Sequence, residues 1–402
     1  MMSLARPFVV LVLFAAAACD PGPVDTEVVP SSFASVSVAQ EGSAVCALST
    51  EGAAYCWGGS NYRGNLGTGS VGPSESYVAT PVRVVGGLRF KEVSPGVSYT
   101  CGTTEADELY CWGGKGIDGE PDATIVTAPK QLAGVRIVGM EALGWGFGVC
   151  GIFPGEEARC DTRQGTGSFL DLAPGHRFTA LSRTHGYIGI GSPSRGGYSY
   201  LYGHQCGISA GRVLCWGDNW YGELGNGTRS PDGTAYPPPT TVTPRTATPA
   251  PVSSGLQFRA VGTGGRFSCA LAADDSVWCW GWGSDGQTGN GAAGVTTVPT
   301  RVAGELRLRT LSVGFQHSCG VDADGVGWCW GKRGPALGNE GGPAPARVAG
   351  DLRWKTISAG FSATCGVTVP GDVYCWGGGE SGTLGNGAFA SSAVPVKVAF
   401  PT

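Results

Sequence analysis

Residues 46–67 read CALSTEGAAYCWGGSNYRGNLG, and residues 206–225 repeat the pattern as CGISAGRVLCWGDNWYGELG. Each stretch has two cysteines around a short glycine-containing turn, then Trp-Gly, then a Gly-x-Leu-Gly loop. Two apolar segments joined by such a turn indicate a β-hairpin. Related units recur along the whole chain at a period of roughly 50 residues, which is typical of a repeat protein.

The chain has 15 cysteines, and 14 of them fall into seven close pairs. In the first pair the turn Thr50-Glu51-Gly52 places glycine where a left-handed residue is needed. The fourth pair is one residue shorter and has the two-residue turn Ala210-Gly211, so its cysteines stay opposite each other. We therefore predict one disulfide per hairpin, the alternative being buried, reduced thiols. The pairs are Cys46/Cys56, Cys101/Cys111, Cys150/Cys160, Cys206/Cys215, Cys269/Cys279, Cys319/Cys329 and Cys365/Cys375.

Each of the seven repeats contains about four short strands. A repeat opens with two apolar residues three apart, such as Phe33 and Val36, and closes with a strand that begins at proline, such as Pro299 to Gly304. A four-stranded sheet cannot bury both faces alone, whereas seven sheets packed radially can. We predict an all-β, seven-bladed β-propeller, closed by a mixed first or last blade. The approximate repeats are 33–86, 87–134, 135–175, 176–255, 256–304, 305–350 and 351–402.

A linear solenoid is the structural alternative, but neither terminal repeat differs from the middle ones as a cap would. The units resemble the RCC1 repeat (regulator of chromosome condensation-like), most closely at Cys46 to Gly67 and Cys206 to Gly225. The resemblance covers the chain from about Phe33 to Phe400 and extends to bacterial lipoproteins with cysteine-bearing RCC1-like repeats. It implies a binding propeller. Secreted bacterial propellers of this kind include inhibitors that cover the active site of an extracellular enzyme.

The N-terminus has the pattern of a processing segment. An apolar run from Phe8 to Ala18 is too short to span a bilayer but suits a signal peptide, here residues 1–18. Residues 16–19 read AAAC and resemble a lipobox, which implies lipidation of Cys19, followed by a polar tether over residues 19–32. An ordinary cleavage site with an incidental cysteine is the alternative. We expect an exported protein, lipid-anchored in the bacterial cell envelope, with the membrane leaflet left open.

No pattern in the chain indicates an enzyme, a cofactor or a metal site. Residues 289–294 read GNGAAG, but no helix follows, so a dinucleotide site is not indicated. Residues 322–325 read DADG on a hairpin turn, without the later glutamate of a calcium loop. The histidines His176, His185, His204 and His317 lack metal-ligand spacing. A propeller hydrolase or lyase is an alternative, and it would need acids or histidines clustered near the axis.

Six hairpins end in Cys-Trp-Gly, and the third has Asp161 in place of tryptophan. These tryptophans are interpreted as packing between blades, the alternative being an aromatic ligand-binding ring. Two long insertions interrupt the fourth repeat, within residues 182–205 and 229–254. They are interpreted as surface padding or as loops that clamp a partner.

Repeat symmetry places one set of polar and aromatic loop residues on a single face, where they are candidate partner-binding residues or parts of the repeat consensus. Net charge is −4, which argues against a nucleic-acid partner. We therefore predict a monomeric binding scaffold that engages a protein, or a glycan, through this face. Guanine-nucleotide exchange, known from the family's eukaryotic namesake, is the alternative, and export disfavours it. The candidate residues are Asn61, Tyr62, Arg63, Asn219, Trp220, Tyr221, Trp282, Lys332 and Arg333.

Overall fold

The computed structural model describes residues 30–74, 76–114, 124–142, 149–161, 169–183, 203–229 and 245–401. The predicted signal peptide, Cys19 and most of both insertions lie outside these residues. The described residues form seven four-stranded antiparallel sheets, so the predicted fold class is confirmed. Three short 3-10 turns, Asn61–Arg63, Ala303–Glu305 and Pro335–Leu337, accompany the strands.

The 28 strands follow one another blade by blade. Blades 1 to 3 contain β1 Phe33–Val38, β2 Val45–Ser49, β3 Ala54–Trp57, β4 Val82–Arg83; β5 Phe90–Pro95, β6 Tyr99–Thr104, β7 Glu108–Gly113, β8 Lys130–Arg136; β9 Val138–Ala142, β10 Val149–Ile152, β11 Ala158–Asp161, β12 Phe169–Asp171. Blades 4 and 5 contain β13 Ala180–Arg183, β14 His204–Ser209, β15 Arg212–Asp218, β16 Arg245–Pro251; β17 Phe258–Thr263, β18 Phe267–Ala272, β19 Val277–Trp282, β20 Val295–Arg301. Blades 6 and 7 contain β21 Thr310–Val313, β22 His317–Val321, β23 Gly327–Gly331, β24 Ala346–Arg347; β25 Trp354–Ala359, β26 Ala363–Thr368, β27 Val373–Gly377, β28 Ser392–Lys397.

The first strand of each blade is the innermost. Strand β1 contacts β5 on one side and β25 on the other, and the first strands of the other blades contact their neighbours likewise. The first apolar residue of each repeat is buried, at 4% exposure or less, between adjacent blades. Burial of a large apolar side chain contributes about 2 kcal/mol, so this position alone accounts for a substantial part of the core.

The outermost strands carry proline. Pro249, Pro299 and Pro395 lie inside β16, β20 and β28, so these strands begin before the proline and not at it as predicted. An outer edge tolerates proline because the missing N–H would face solvent, and the residue blocks edge-to-edge pairing with another chain.

The ring closes without exchanging a strand, so the prediction of a mixed blade was wrong. Strand β28 pairs with β27 in blade 7, and β1 to β4 form blade 1 on their own. Blade 7 instead packs side by side on blade 1: the ring of Phe400 stacks on Phe33 at 4.1 Å, and the Phe33 N–H donates to the Gly371 carbonyl at 2.9 Å. Each blade is therefore built from four consecutive strands.

The hairpin cysteines face each other as predicted, with one disulfide in each blade. The two cysteines of a pair are register partners on adjacent strands, and the fourth pair stays in register despite the deletion in its turn. Gly52 has φ 84° at the first turn, as the sequence required. Each bridge closes a short loop and stabilises the fold by about 3 kcal/mol in the chain-entropy account. The bridges are Cys46–Cys56, Cys101–Cys111, Cys150–Cys160, Cys206–Cys215, Cys269–Cys279, Cys319–Cys329 and Cys365–Cys375.

The hairpin tryptophans are packing residues. Trp57, Trp112, Trp280, Trp330 and Trp376 are fully buried, and each indole N–H donates to a loop carbonyl of the preceding blade at 2.7–3.2 Å. The interpretation of blade-to-blade packing is confirmed, because none of these rings is free to face a ligand.

The third repeat lacks the Gly-x-Leu-Gly sequence of this loop, and residues 162–168 lie outside the described ones. Trp216 of blade 4 is buried, yet its indole N–H has no hydrogen-bond partner among the described residues. At the same junction the Arg183 guanidinium is buried with Nη1 3.2–3.3 Å from the sulfurs of Cys150 and Cys160. The junction between blades 3 and 4 thus contains a buried guanidinium beside a disulfide.

Candidate protein-binding face

The propeller has two faces, built from different connections. In blade 1, Val38 of β1 lies opposite Val45 of β2, and Val45 lies opposite Trp57 of β3. The turn after β1 and the loop after β3 therefore lie at the same end of the sheet. We call this the loop face, and the opposite end, with the cysteine hairpin turns, the hairpin face. All the candidate residues from the sequence lie in the β3-type loops of the loop face or at their start.

The disulfides belong to the frame of the propeller and not to either exposed face. The second cysteines of blades 2, 5 and 6, Cys111, Cys279 and Cys329, are 3%, 0% and 0% exposed. Each bridge joins the two middle strands of its own sheet, at Cys101, Cys269 and Cys319 in these blades. The predicted disulfide residues therefore hold the hairpins together and offer no sulfur to a ligand.

Asn61 and Asn219 do not line an exposed surface, which corrects their prediction as partner-binding residues. They are 5% and 6% exposed. The Asn61 amide nitrogen donates to Thr68 Oγ1 at 2.9 Å and its oxygen accepts the Leu66 N–H at 3.0 Å. Asn219 makes the matching bond with the Leu224 N–H at 3.1 Å. These asparagines shape the Gly-x-Leu-Gly loops.

Tyr62 and Arg63 lie on the loop face of blade 1. Tyr62 is 41% exposed, and the Arg63 guanidinium lies over its ring at 4.9 Å from the centroid. A guanidinium over a tyrosine ring is worth about 0.5–1 kcal/mol at an exposed site. The pair therefore forms a small stable platform.

Blades 4 and 5 bring two predicted aromatic residues together. The rings of Tyr221 and Trp282 meet edge to face, with centroids 4.6 Å apart, and Trp220 is half-buried in the same loop as Tyr221. Arg266 lies over the Tyr221 ring at 5.2 Å and donates to its hydroxyl at 3.3 Å. The backbone N–H of Trp282 donates to the Arg266 carbonyl at 2.8 Å. This bond joins the loop after the third strand of blade 5 to the turn after its first strand.

Sequence reasoning missed Arg266, Phe315 and Phe361, which lie in the turns after the innermost strands. Phe315 and Phe361 have ring centroids 5.0 Å apart, and Phe361 is 46% exposed. The Gly265 N–H donates to the Phe315 carbonyl at 2.9 Å, so these turns adjoin each other around the axis. The available signal was position: Phe315 and Phe361 come two residues after their first strands, and Arg266 comes three residues after its own.

Lys332 and Arg333 of blade 6 are exposed beside these turns. The Lys332 ammonium donates to Gln316 Oε1 at 3.1 Å, and its backbone N–H donates to the Gln316 carbonyl at 2.9 Å. We call the contiguous surface on blades 4 to 7 the binding arc; it consists of Tyr221, Arg266, Trp282, Phe315, Lys332, Arg333 and Phe361. Exposed tyrosine, tryptophan and arginine are the residue types that dominate protein interfaces.

The buried titratable groups serve the junctions between blades. His204 Nε2 lies 2.7 Å from Ser268 Oγ, which donates its proton to the Glu223 carbonyl at 3.1 Å. His317 Nε2 lies 2.7 Å from Thr364 Oγ1, which donates to the Ala336 carbonyl. Burial lowers the pKa of His204 to about 3 and that of His317 to about 4, so both are neutral imidazoles.

Within the described ranges, no three histidine, cysteine, aspartate or glutamate side chains are grouped as metal ligands would be. The same ranges contain no helix of the length and apolarity needed to span a bilayer. The seven disulfides are consistent with an exported protein. What the described surface offers is therefore a rigid frame with an exposed aromatic and cationic patch.

Residues 210–271, 274–321 and 370–402, together with 258–287 and 354–383, match the Regulator of chromosome condensation (RCC1) repeat. The chain therefore contains RCC1 repeats, and its fold is an RCC1-like β-propeller. Among solved structures, this RCC1-repeat propeller is similar to Prp20p from Saccharomyces cerevisiae, at 18% identity and a TM-score of 0.67 over 88% of this chain and 87% of that one. It is also similar to human WBSCR16, at 15% identity and a TM-score of 0.67 over 87% and 95%. At these identities the likeness concerns the fold.

Among curated proteins, the RCC1-repeat propeller is 27% identical over 257 residues to the ultraviolet-B receptor UVR8 of Arabidopsis thaliana. The match covers 61% of this chain and 52% of the receptor, so it spans about half the length of that relative. Of these relatives, Prp20p is described by its binding properties to Gsp1p and histones, and UVR8 as an ultraviolet-B receptor.

Proposed function

We propose that this chain is an envelope-anchored binding scaffold that engages a protein partner through the loop face. The binding arc carries the proposal, because it joins the half-buried pair Tyr221 and Trp282 to the exposed Phe361 on a rigid frame. The connection runs through the turns of Arg266 and Phe315. Turns locked by backbone bonds and disulfide-bonded hairpins pre-organise that surface, which reduces the entropy lost on binding. The yeast relative Prp20p has binding properties toward Gsp1p and histones, which supports a protein as the partner class.

A protein partner is favoured over small-molecule chemistry by the form of the site. The arc extends across four blades and is open, whereas small-molecule sites are concave and enclose most of the ligand. A standard protein interface covers about 800 Å² per partner, which suits a surface of this extent.

Anchoring is proposed from Cys19, the one cysteine of the fifteen in the sequence that has no place in the seven hairpin pairs. Two acyl chains on this residue would hold the propeller stably at a membrane. The test is metabolic labelling with palmitate in a bacterial host. We expect label on the wild type and none on Cys19→Ala, and label-free wild-type protein in the soluble envelope fraction would refute the anchor.

The binding face is tested by immunoprecipitation of the full-length protein from envelope fractions. The variant replaces Tyr221, Trp282 and Phe361 with alanine, and the matched control is Val369→Ala, an exposed apolar residue on the hairpin face. We expect a protein captured by the wild type and the control and lost by the triple variant. Equal capture by all three proteins would show that the arc is not the binding surface.

A further inference from the structure

Three of the positive charges on the hairpin face are paired with neighbouring carboxylates. Arg259 Nη2 lies 2.7 Å from Asp275 Oδ1, and Arg307 Nη1 lies 3.7 Å from Asp274 Oδ2. Lys91 pairs with Asp107 in the same manner. Lys91 and Arg259 pair with the hairpin turn of their own blade, and Arg307 pairs with that of the preceding blade, so these three cations have a role within the fold.

Two cations of the binding arc have no such carboxylate partner among the described residues. Lys332 and Arg333 are exposed, and no carboxylate of the described residues lies within ion-pair distance of either one. The only side-chain bond recorded for Lys332 goes to the neutral amide of Gln316. The face therefore presents positive charge that the described part of the chain does not compensate.

Of the acids in the loops that carry the arc, Glu223 and Asp218 are buried and Asp285 accepts a hydrogen bond, whereas Glu340 is exposed. The Glu223 carboxyl is 3% exposed and accepts the Tyr221 N–H at 2.6 Å, and burial raises its pKa to about 8, so it is largely protonated at neutral pH. Asp218 is 6% exposed and accepts the Gly203 N–H at 2.7 Å. Asp285 is exposed, and its carboxylate accepts the Gln287 amide at 3.2 Å.

We propose that the binding arc recognises an acidic protein segment, with Lys332 and Arg333 facing its carboxylates and Tyr221, Trp282 and Phe361 receiving its apolar or aromatic side chains. This inference rests on the proposed function and specifies its partner. Charge complementarity supports it, because uncompensated cations occupy this arc on a chain whose net charge is −4. Arginine and aromatic residues placed side by side are the usual anchors of such an interface.

The test uses a random copolymer of glutamate and tyrosine as an acidic, aromatic probe, with a lysine and tyrosine copolymer as the opposite-charge probe. Binding to the purified full-length protein is followed by anisotropy of labelled copolymer. The variant is Lys332→Glu with Arg333→Glu. The matched control is Arg353→Glu with Lys355→Glu, which makes the same charge change at exposed residues on the hairpin face of blade 7.

We expect the acidic probe to bind wild type and control alike, and the arc variant about tenfold more weakly at low salt. Raising the salt from low to physiological strength should weaken wild-type binding, since exposed charges are screened beyond about 8 Å at physiological strength. Equal weakening in the control, unchanged binding by the arc variant, or equal binding of the basic probe would overturn the inference.

The same variants separate this inference from the proposed function. In the immunoprecipitation, loss of the partner by the aromatic triple variant with retention by the Lys332→Glu, Arg333→Glu variant would leave the arc as the binding surface but contradict an acidic partner. Loss in both variants, with retention in the hairpin-face control, is the result that both proposals require.

Discussion

Replacing His317 with glutamine should make the protein less sensitive to acid. The imidazole is fully buried, and its Nε2 must donate to Thr364 Oγ1, because that hydroxyl gives its own proton to the Ala336 carbonyl. Burial lowers the pKa of His317 from its ordinary 6.5 to about 4. A glutamine amide can donate the same bond and does not titrate.

Proton linkage gives the sign and size of the effect of His317 on the free energy of unfolding. Below pH 6.5 the unfolded chain protonates this histidine while the folded protein does not, so stability falls as the pH falls. The loss is roughly 1.4 kcal/mol per pH unit, and it amounts to about 3 kcal/mol once the pH reaches the folded-state pKa. Above pH 6.5 the group contributes no pH dependence.

The assay is urea denaturation of both proteins, with disulfides intact, at several values between neutral pH and about pH 4. The difference between the two free energies of unfolding is the quantity to follow. Glu223 and Glu41, whose pKa values burial raises to about 8 and about 7, act in the opposite direction and cancel in this difference. We expect His317→Gln to gain about 3 kcal/mol relative to wild type across this range. The control Thr364→Ser, which keeps the hydroxyl, should follow the wild type. A pH-independent difference would refute the buried neutral imidazole.

Four variants test the junction that closes the ring and the blade that adjoins it. Gly385 has φ 65°, and an added Cβ would lie 2.5 Å from the indole nitrogen of blade 1, so Gly385→Ala should cost more than about 2 kcal/mol in urea denaturation. Gly387→Ala has a similar φ of 82°, but its added Cβ would meet only Thr80 Cγ2 at 3.8 Å, an ordinary contact, so it should cost only about 1 kcal/mol; equal losses would contradict the close approach. Phe400→Ala should lower the free energy of unfolding by about 2–3 kcal/mol, and no change would show that the C-terminal aromatic residue does not hold blades 7 and 1 together. Replacing Cys365 and Cys375 with alanine should cost about 3 kcal/mol, and a protein equally stable with and without reductant would argue against this bridge.

The architecture could be predicted because the repeat marks its own strands. Cysteines that stay opposite each other, as in Cys206 and Cys215, report register directly, and a buried Trp57-type residue in six repeats reports the junction between blades. The ring closure could not be predicted in this manner. It depends on whether the last strand pairs within its own repeat, and the packing of Phe400 on Phe33 that settles the matter joins residues from opposite ends of the chain.

The site was predicted only in part, for a related physical reason. The loops that carry Tyr221 and Trp282 follow a strong consensus, so repeat symmetry places them on one face. The same consensus includes Asn61 and Asn219, whose amides are used inside their own loops. Arg266, Phe315 and Phe361 lie in short glycine-containing turns with no consensus side chain, and only the geometry of the turns around the axis shows that these residues adjoin.

Site-specific photo-crosslinking in a bacterial host tests the central claim, that the loop face engages a protein, most directly. The crosslinking amino acid p-benzoylphenylalanine is placed at Phe361, on the loop face, or at Val369, on the hairpin face; these residues lie near opposite ends of β26 and are 46% and 65% exposed. We predict a discrete protein adduct from position 361 that disappears when Tyr221 and Trp282 are replaced with alanine, and none from position 369. An adduct from position 369 alone, or one from position 361 that survives those substitutions, would contradict the account.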